Sequence, residues 1–224
     1  MATSGEERVA GNGPGWVEER LGLREIASRV LRKPVPAGVT WYHCFGGLTF
    51  LTFIVLVVTG VTLAFFYVPS PDHARASITW FESSIPLGRL VRNLHRWSAY
   101  AMVLLIPLHM LRVFVHGAYR KPRELSWVVG VLMLLAVLAF GFTGYLLPWD
   151  QKAYWATNVG INIAGSVPGI GPFLADLLRG GPALGSLTLL RFYGLHVFVL
   201  PALLVVGLVL HFAMVRKQGI ATPL

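Results

Sequence analysis

The sequence predicts an all-α membrane protein: a bundle of four membrane-spanning helices preceded by an amphipathic helix on the membrane surface. Three observations predict it. The chain is 55% hydrophobic and only 13% charged, with a mean hydropathy of +0.64, too little charge for a soluble domain of this length. Four apolar runs are each long enough to cross a hydrocarbon core of ~30 Å. The basic residues (19 Lys and Arg against 10 Asp and Glu) sit in short clusters between those runs. Such clusters anchor spans in a membrane, and the absence of a single basic patch excludes nucleic-acid binding.

Residues 1–15 are Gly-rich and polar, which predicts a disordered arm. Over residues 16–33, Trp16, Leu23, Ile26, Ala27, Val30 and Leu31 recur near helical spacing with Arg20, Arg24, Glu25 and Arg29 between them. That pattern predicts a helix lying in the interface, ended by Pro34 and Pro36. No cleavable signal precedes it, so insertion relies on the first true span. A four-helix membrane domain occupies 40–224, with span A at about 44–67, B at 93–115, C at 127–147 and D at 188–215. The A–B connection has about 25 residues, the B–C connection is short and basic, and the C–D connection of about 40 contains an amphipathic piece from Phe173 to Arg179. The N-terminal arm, B–C loop and C-terminal tail share one side, which with Arg112 near the end of span B carries twelve of the 19 Lys and Arg. That asymmetry makes their side, with both termini, the cytoplasmic one, or the stromal one in a chloroplast.

Four of the seven histidines lie within spans: His95 and His109 on B, His196 and His211 on D. An intramembrane histidine is costly, and its ordinary explanation is a hydrogen bond to a neighbouring helix. The spacing says more. Fourteen residues carry His109 ~21 Å along the helix from His95 and turn it by ~40°, and fifteen carry His211 ~22 Å and ~60° from His196. B and D start on the same side, so His95 meets His196 and His109 meets His211. Two stacked bis-histidine sites suit two low-spin b-type haems; zinc would want four ligands per site. Gly46 and Gly60 on A and Gly130 and Gly144 on C repeat the same 14-residue interval. Glycine leaves room for a close-approaching group, so a glycine at each level admits the porphyrin edge; ordinary small-residue packing is the competing explanation. Arg92, Arg96, Arg112 and Arg123 flank the histidine levels. Each is either an interfacial anchor or a partner for a haem propionate.

The stretches Tyr42-His43-Cys44-Phe45-Gly46-Gly47, Arg92-Asn93-Leu94-His95-Arg96-Trp97, Lys121-Pro122-Arg123-Glu124, Gly144-Tyr145-Leu146-Leu147-Pro148-Trp149-Asp150, Arg191-Phe192-Tyr193-Gly194-Leu195-His196 and Arg216-Lys217-Gln218-Gly219-Ile220 resemble the cytochrome b6 family. The resemblance runs from about residue 40 to the C-terminus, and the stretches around Gly117-Ala118-Tyr119 and Phe142-Thr143-Gly144-Tyr145-Leu146-Leu147 look closer to the bacterial menaquinol-oxidising members than to the chloroplast protein. It implies the haem-carrying half of a split cytochrome b, in the bacterial cytoplasmic membrane or alternatively a thylakoid. The chain stops soon after span D and lacks the Pro-Glu-Trp-Tyr signature of the other half. The implied partners are the subunit with that half, a Rieske iron–sulfur protein, a c-type cytochrome and membrane lipids, in a homodimeric complex. The implied function is electron transfer from an outer quinol-oxidation site, through the haems of His95/His196 and His109/His211, to an inner quinone site, contributing to proton-motive force. The acceptor that the resemblance implies is cytochrome c or plastocyanin, with menaquinone as the favoured substrate. The resemblance also implies a third, c-type haem bound covalently to Cys44; from the residues alone, a lone cysteine reads as a small buried apolar group. It further implies that Pro148 and Trp149 line the quinol-oxidation pocket and that Arg216 neighbours the inner quinone site.

Two other readings compete. A di-haem, quinone-reactive anchor of a dehydrogenase or hydrogenase would need neither the Cys44 motif nor the Lys217-Gln218-Gly219-Ile220 tail. A haem-free transporter relaying protons through histidines would not require equal periods in histidines and glycines.

Overall fold

The computed structural model describes residues 16–22, 24–25, 28, 38–219 and 221. The chain divides into two units, Met1–Gly38 and Val39–Leu224. In the first, helix α1 spans Trp16–Leu21. The expected arm over 1–15 and most of the expected surface helix beyond Leu21 lie outside the described residues.

The second unit is helical throughout, with no strand among the described residues. Four of its helices are long and apolar enough to cross a membrane: span A at Trp41–Ala64, B at Gly88–Val115, C at Glu124–Leu146 and D at Ser186–Gln218. Span A opens with a tight 3-10 turn, Trp41–Cys44, before its α-helix begins at Phe45. The outward faces expose Leu51, Val58, Leu104, Leu132, Val206 and Val209. A continuous apolar exterior of this kind is stable against lipid, not water. Spans A and B pack closely on each other, as do C and D.

Between the spans the chain folds as short helices. Helix α2 (Ala74–Ser84) fills much of the A–B connection. It meets span B in a turn where Leu87 takes φ 62° and where a Cβ on Gly88 would come within 2.0 Å of the Phe81 carbonyl oxygen. Only glycine permits that approach. Arg92 then pairs with Glu82 of α2 at 2.5 Å, which explains why span B continues as helix five residues ahead of its apolar run. The C–D connection forms α3 (Gln151–Gly165) and α4 (Gly171–Arg179). Asp150 caps α3, accepting a hydrogen bond from the Ala153 backbone at 2.9 Å. Arg191 of span D donates to the Asp176 and Leu177 carbonyls at the end of α4, satisfying acceptors that a helix terminus leaves open. The Tyr67 phenol, pushed up in pKa by burial and by Tyr193 beside it, stays protonated and donates to the Leu147 carbonyl at 2.7 Å.

At the other end of the bundle, the B–C turn is tied to the end of span D. Arg123 donates to the Gln218 carbonyl at 3.2 Å, and the Gln218 amide donates to the Pro122 carbonyl at 2.7 Å.

Span D is not a uniform α-helix. Leu195–Val199 form a π-turn, in which the Leu200 N–H reaches the Leu195 carbonyl five residues back. Pro201 follows immediately. It has no N–H for the Val197 carbonyl and its ring crowds that carbonyl, so the wider turn relieves the conflict and accommodates one extra residue.

Candidate haem-binding sites

The packing brings the four intramembrane histidines together in the pairs that their spacing predicts. His95 and His196 face each other with ring centroids 6.4 Å apart and planes crossed at 67°. His109 and His211 lie within electrostatic range of each other at the second level. The extra residue between His196 and His211 is taken up by the π-turn, so span D presents its imidazoles nearly in the register of span B. A metal–imidazole bond is about 2 Å. Two imidazoles on opposite sides of one metal therefore hold their ligating nitrogens about 4 Å apart and their ring centres further, in keeping with the spacing of His95 and His196. The arrangement fits a bis-histidine haem.

The glycines lie at the expected levels, and three of them sit against the intramembrane imidazoles. A Cβ on Gly46 would lie 3.0 Å from His109 Cε1, one on Gly60 3.1 Å from His95 Cε1, and one on Gly144 2.6 Å from His196 Cε1. Each absent side chain is a socket for an imidazole. Gly130 differs, since a Cβ there would meet nothing within 4 Å.

Three hydroxyls complete the sockets. Thr59 Oγ1 lies 2.9 Å from His95 Nδ1, Thr143 Oγ1 3.1 Å from His196 Nδ1, and Ser126 Oγ 3.3 Å from His211 Nδ1. A hydrogen bond at Nδ1 fixes the ring and leaves Nε2 for a metal. Sequence reasoning missed these residues, although the dipeptides Thr59-Gly60 and Thr143-Gly144 stand at the matching level of both glycine-bearing spans.

An apolar layer separates the two levels. Phe53, Met102, Val137 and Leu204 are buried together with Ile106. Phe53 lies midway between Gly46 and Gly60, Met102 midway between His95 and His109, and Val137 midway between Gly130 and Gly144.

The predicted arginines divide. Arg92 is engaged by Glu82, and exposed Arg96 lies 5.7 Å from the Tyr100 ring centre. Arg112 and Arg123 each keep a buried Nε with no hydrogen-bond partner among the described residues. Arg216 is exposed near the end of span D. Cys44 is an exposed free thiol at the start of span A. Its neighbours Tyr42 and Phe45, with Leu108, Leu111, Arg112, Val115 and His116, line a shallow, open apolar depression on the bundle surface. Pro148 and Trp149 lie at the opposite end, where Trp149 takes φ 50° and packs edge-on against Tyr154 of α3 at 5.7 Å. They are not close to Cys44.

Comparison with known proteins agrees with this geometry. The family model for cytochrome b/b6/petB matches residues 30–219. Cytochrome b6 of Chlamydomonas reinhardtii is 47% identical over 209 residues, which cover 93% of this chain and 97% of that protein. Cytochrome b6 of Auxenochlorella protothecoides is 48% identical over the same shares. Among solved structures, a chain of a hyperthermophilic respiratory Complex III is similar with a TM-score of 0.87 and 32% identity over 93% of this chain, which spans 56% of that longer chain. Four spans, two intramembrane histidines on each of spans B and D, and similarity along nearly the whole length place the chain in the cytochrome b/b6 family.

Proposed function

We propose that the chain is the haem-carrying electron-transfer subunit of a membrane quinol oxidoreductase. The observation that carries this reading is the facing pair His95 and His196, with His109 and His211 near each other beyond a buried apolar layer. His95 and His196 hold the outer b haem, and His109 and His211 the inner one. Bound there, the haems supply reversible one-electron chemistry at two depths in the membrane. The protein's own part is to aim the imidazoles, exclude water between the levels and compensate the propionates. Arg112 and Arg123 are suited to that last task because their buried Nε groups await an acceptor, whereas Arg92 already has Glu82.

The exposed thiol of Cys44 is the attachment point for a covalent c-type haem. The depression beside it combines an apolar wall with Arg112 and His116, as a site near a membrane quinone requires. Pro148 and Trp149 contribute to the quinol-oxidation pocket at the other end, with menaquinone as the favoured substrate and Arg216 near the inner quinone site. The subunit works in the bacterial cytoplasmic membrane with both termini on the cytoplasmic side. It acts beside a second cytochrome b polypeptide, a Rieske protein and a c-type cytochrome, in a dimeric complex that contributes to proton-motive force.

A pyridine haemochrome spectrum of the purified chain, before and after acid–acetone extraction, tests the reading. Two extractable b haems and one retained haem, the latter lost in Cys44→Ser, are expected. Two extractable haems with none retained would reduce Cys44 to a packing residue. A folded chain without haem would overturn the proposal.

A further inference from the structure

At the level of His95 and His196, both glycine-bearing spans carry a threonine directly before the glycine. The Thr59 hydroxyl has one proton, which it gives to the Val55 carbonyl at 2.6 Å. Thr143 gives its proton to the Ala139 carbonyl at 2.8 Å. Each oxygen is thereby left to accept, so the contacts to His95 Nδ1 (2.9 Å) and His196 Nδ1 (3.1 Å) run from the ring N–H to the hydroxyl. Both threonines are buried, at 6% and 4% exposure, where no water can take their place. The other level is built differently. Phe45 precedes Gly46 and Val129 precedes Gly130. His211 has the longer contact to Ser126 (3.3 Å), and His109 makes no such bond among the described residues.

We propose that Thr59 and Thr143 are positioning residues that set the tautomer and the donor strength of the outer haem's two ligands, an arrangement that the inner level lacks. The inference rests on the haem ligation proposed above. A chain of N–H to hydroxyl to carbonyl draws the ring proton away from imidazole and makes Nε2 a stronger donor. Stronger axial donors favour the oxidised iron, so the pair holds the outer haem's midpoint potential down.

The test is a redox titration of the intact complex, following the b-haem absorbance, with low-temperature EPR of the oxidised protein. The outer step is assigned as the one missing in His196→Leu. In Thr59→Val and Thr143→Val, which keep the side-chain shape and remove the hydroxyl, the outer potential is expected to rise, and more so in the double variant. The inner potential is expected to stay in place, and Thr→Ser at either site should restore the outer value. Loss of the outer haem in the valine variants with retention in the serine ones would support the same role. An unchanged outer potential and EPR signature in the double valine variant would overturn it, as would serine variants behaving like valine. A wild-type complex without two b haems would refute the ligation itself and the threonine assignment with it, whereas an unchanged outer potential in a complex that holds both haems refutes the threonine assignment alone.

Discussion

Adding one methyl group has opposite expected effects at Gly144 and Gly130. In a helix interior, alanine gains about 1 kcal/mol over glycine, whereas forcing a group into packed space costs roughly 1–3 kcal/mol. At Gly144 the new carbon would stand 2.6 Å from His196 Cε1, so crowding wins and the imidazole must move. Gly144→Ala is expected to lower the melting temperature and to lose one of two b haems on purification. At Gly130 nothing lies within 4 Å, so the protein itself tolerates Gly130→Ala. Weakened retention of only the inner haem would show that cofactor fills that space; full retention would show that it does not. The histidines were legible in the sequence because an imidazole inside a span demands a partner. The glycines were legible by period, but the imidazole that packs against three of them was not, because spacing along one helix does not show which neighbouring side chain comes closest. Thr59 and Thr143 were hidden for another reason. Threonine in an apolar helix normally satisfies itself on a carbonyl of the preceding turn, and both do so here while serving a second partner.

The π-turn of span D makes a prediction about helix elements. Each residue of α-helix turns the chain by ~100°, so an insertion between the two histidines must be absorbed or it displaces one of them. Deleting Val199 together with Pro201→Ala removes both the extra residue and the cause of the turn. That variant is expected to keep two b haems, because His196 and His211 would then stand fourteen residues apart in plain α-helix, as His95 and His109 do. Inserting one alanine after Leu208 leaves the π-turn in place and swings His211 off its face; the inner haem should be lost and the outer one kept. Haem content of the two purified variants decides it, and loss from the deletion variant would sink the idea. The spans themselves could be read from apolar length. The surface helices α2 and α3 could not: α3 buries only Ala153, Thr157 and Ile161 along one side. That is too small and too mixed a stripe to stand out, and its stability comes from the Asp150 cap and from packing against α4.

Across the whole molecule, the layer of Phe53, Met102, Val137 and Leu204 is what separates the two histidine levels. Four helices converge there, so the site cannot easily collapse around a deletion. Phe53→Ala is expected to cost about 3–5 kcal/mol, read as a fall in melting temperature of the detergent-solubilised protein with the haem-to-protein ratio unchanged in the folded fraction. A change below 1 kcal/mol would mean that the layer adds little to stability. The layer was visible in the sequence as a large apolar residue at the midpoint of each repeat, but the repeat draws attention to its ends, and burial at the midpoint becomes evident only when the helices are set side by side. The same side-by-side arrangement governs biogenesis. A packs on B and C packs on D, and each of these two hairpins supplies one imidazole to each level. Neither hairpin alone can close a bis-histidine site, so under the proposed ligation each haem would tie one hairpin to the other, adding to the contacts that the apolar layer already makes between them. On that reading, a cell starved of haem would hold this chain with its two hairpins meeting at the apolar layer but without those ties, a weaker seam than the loaded protein has.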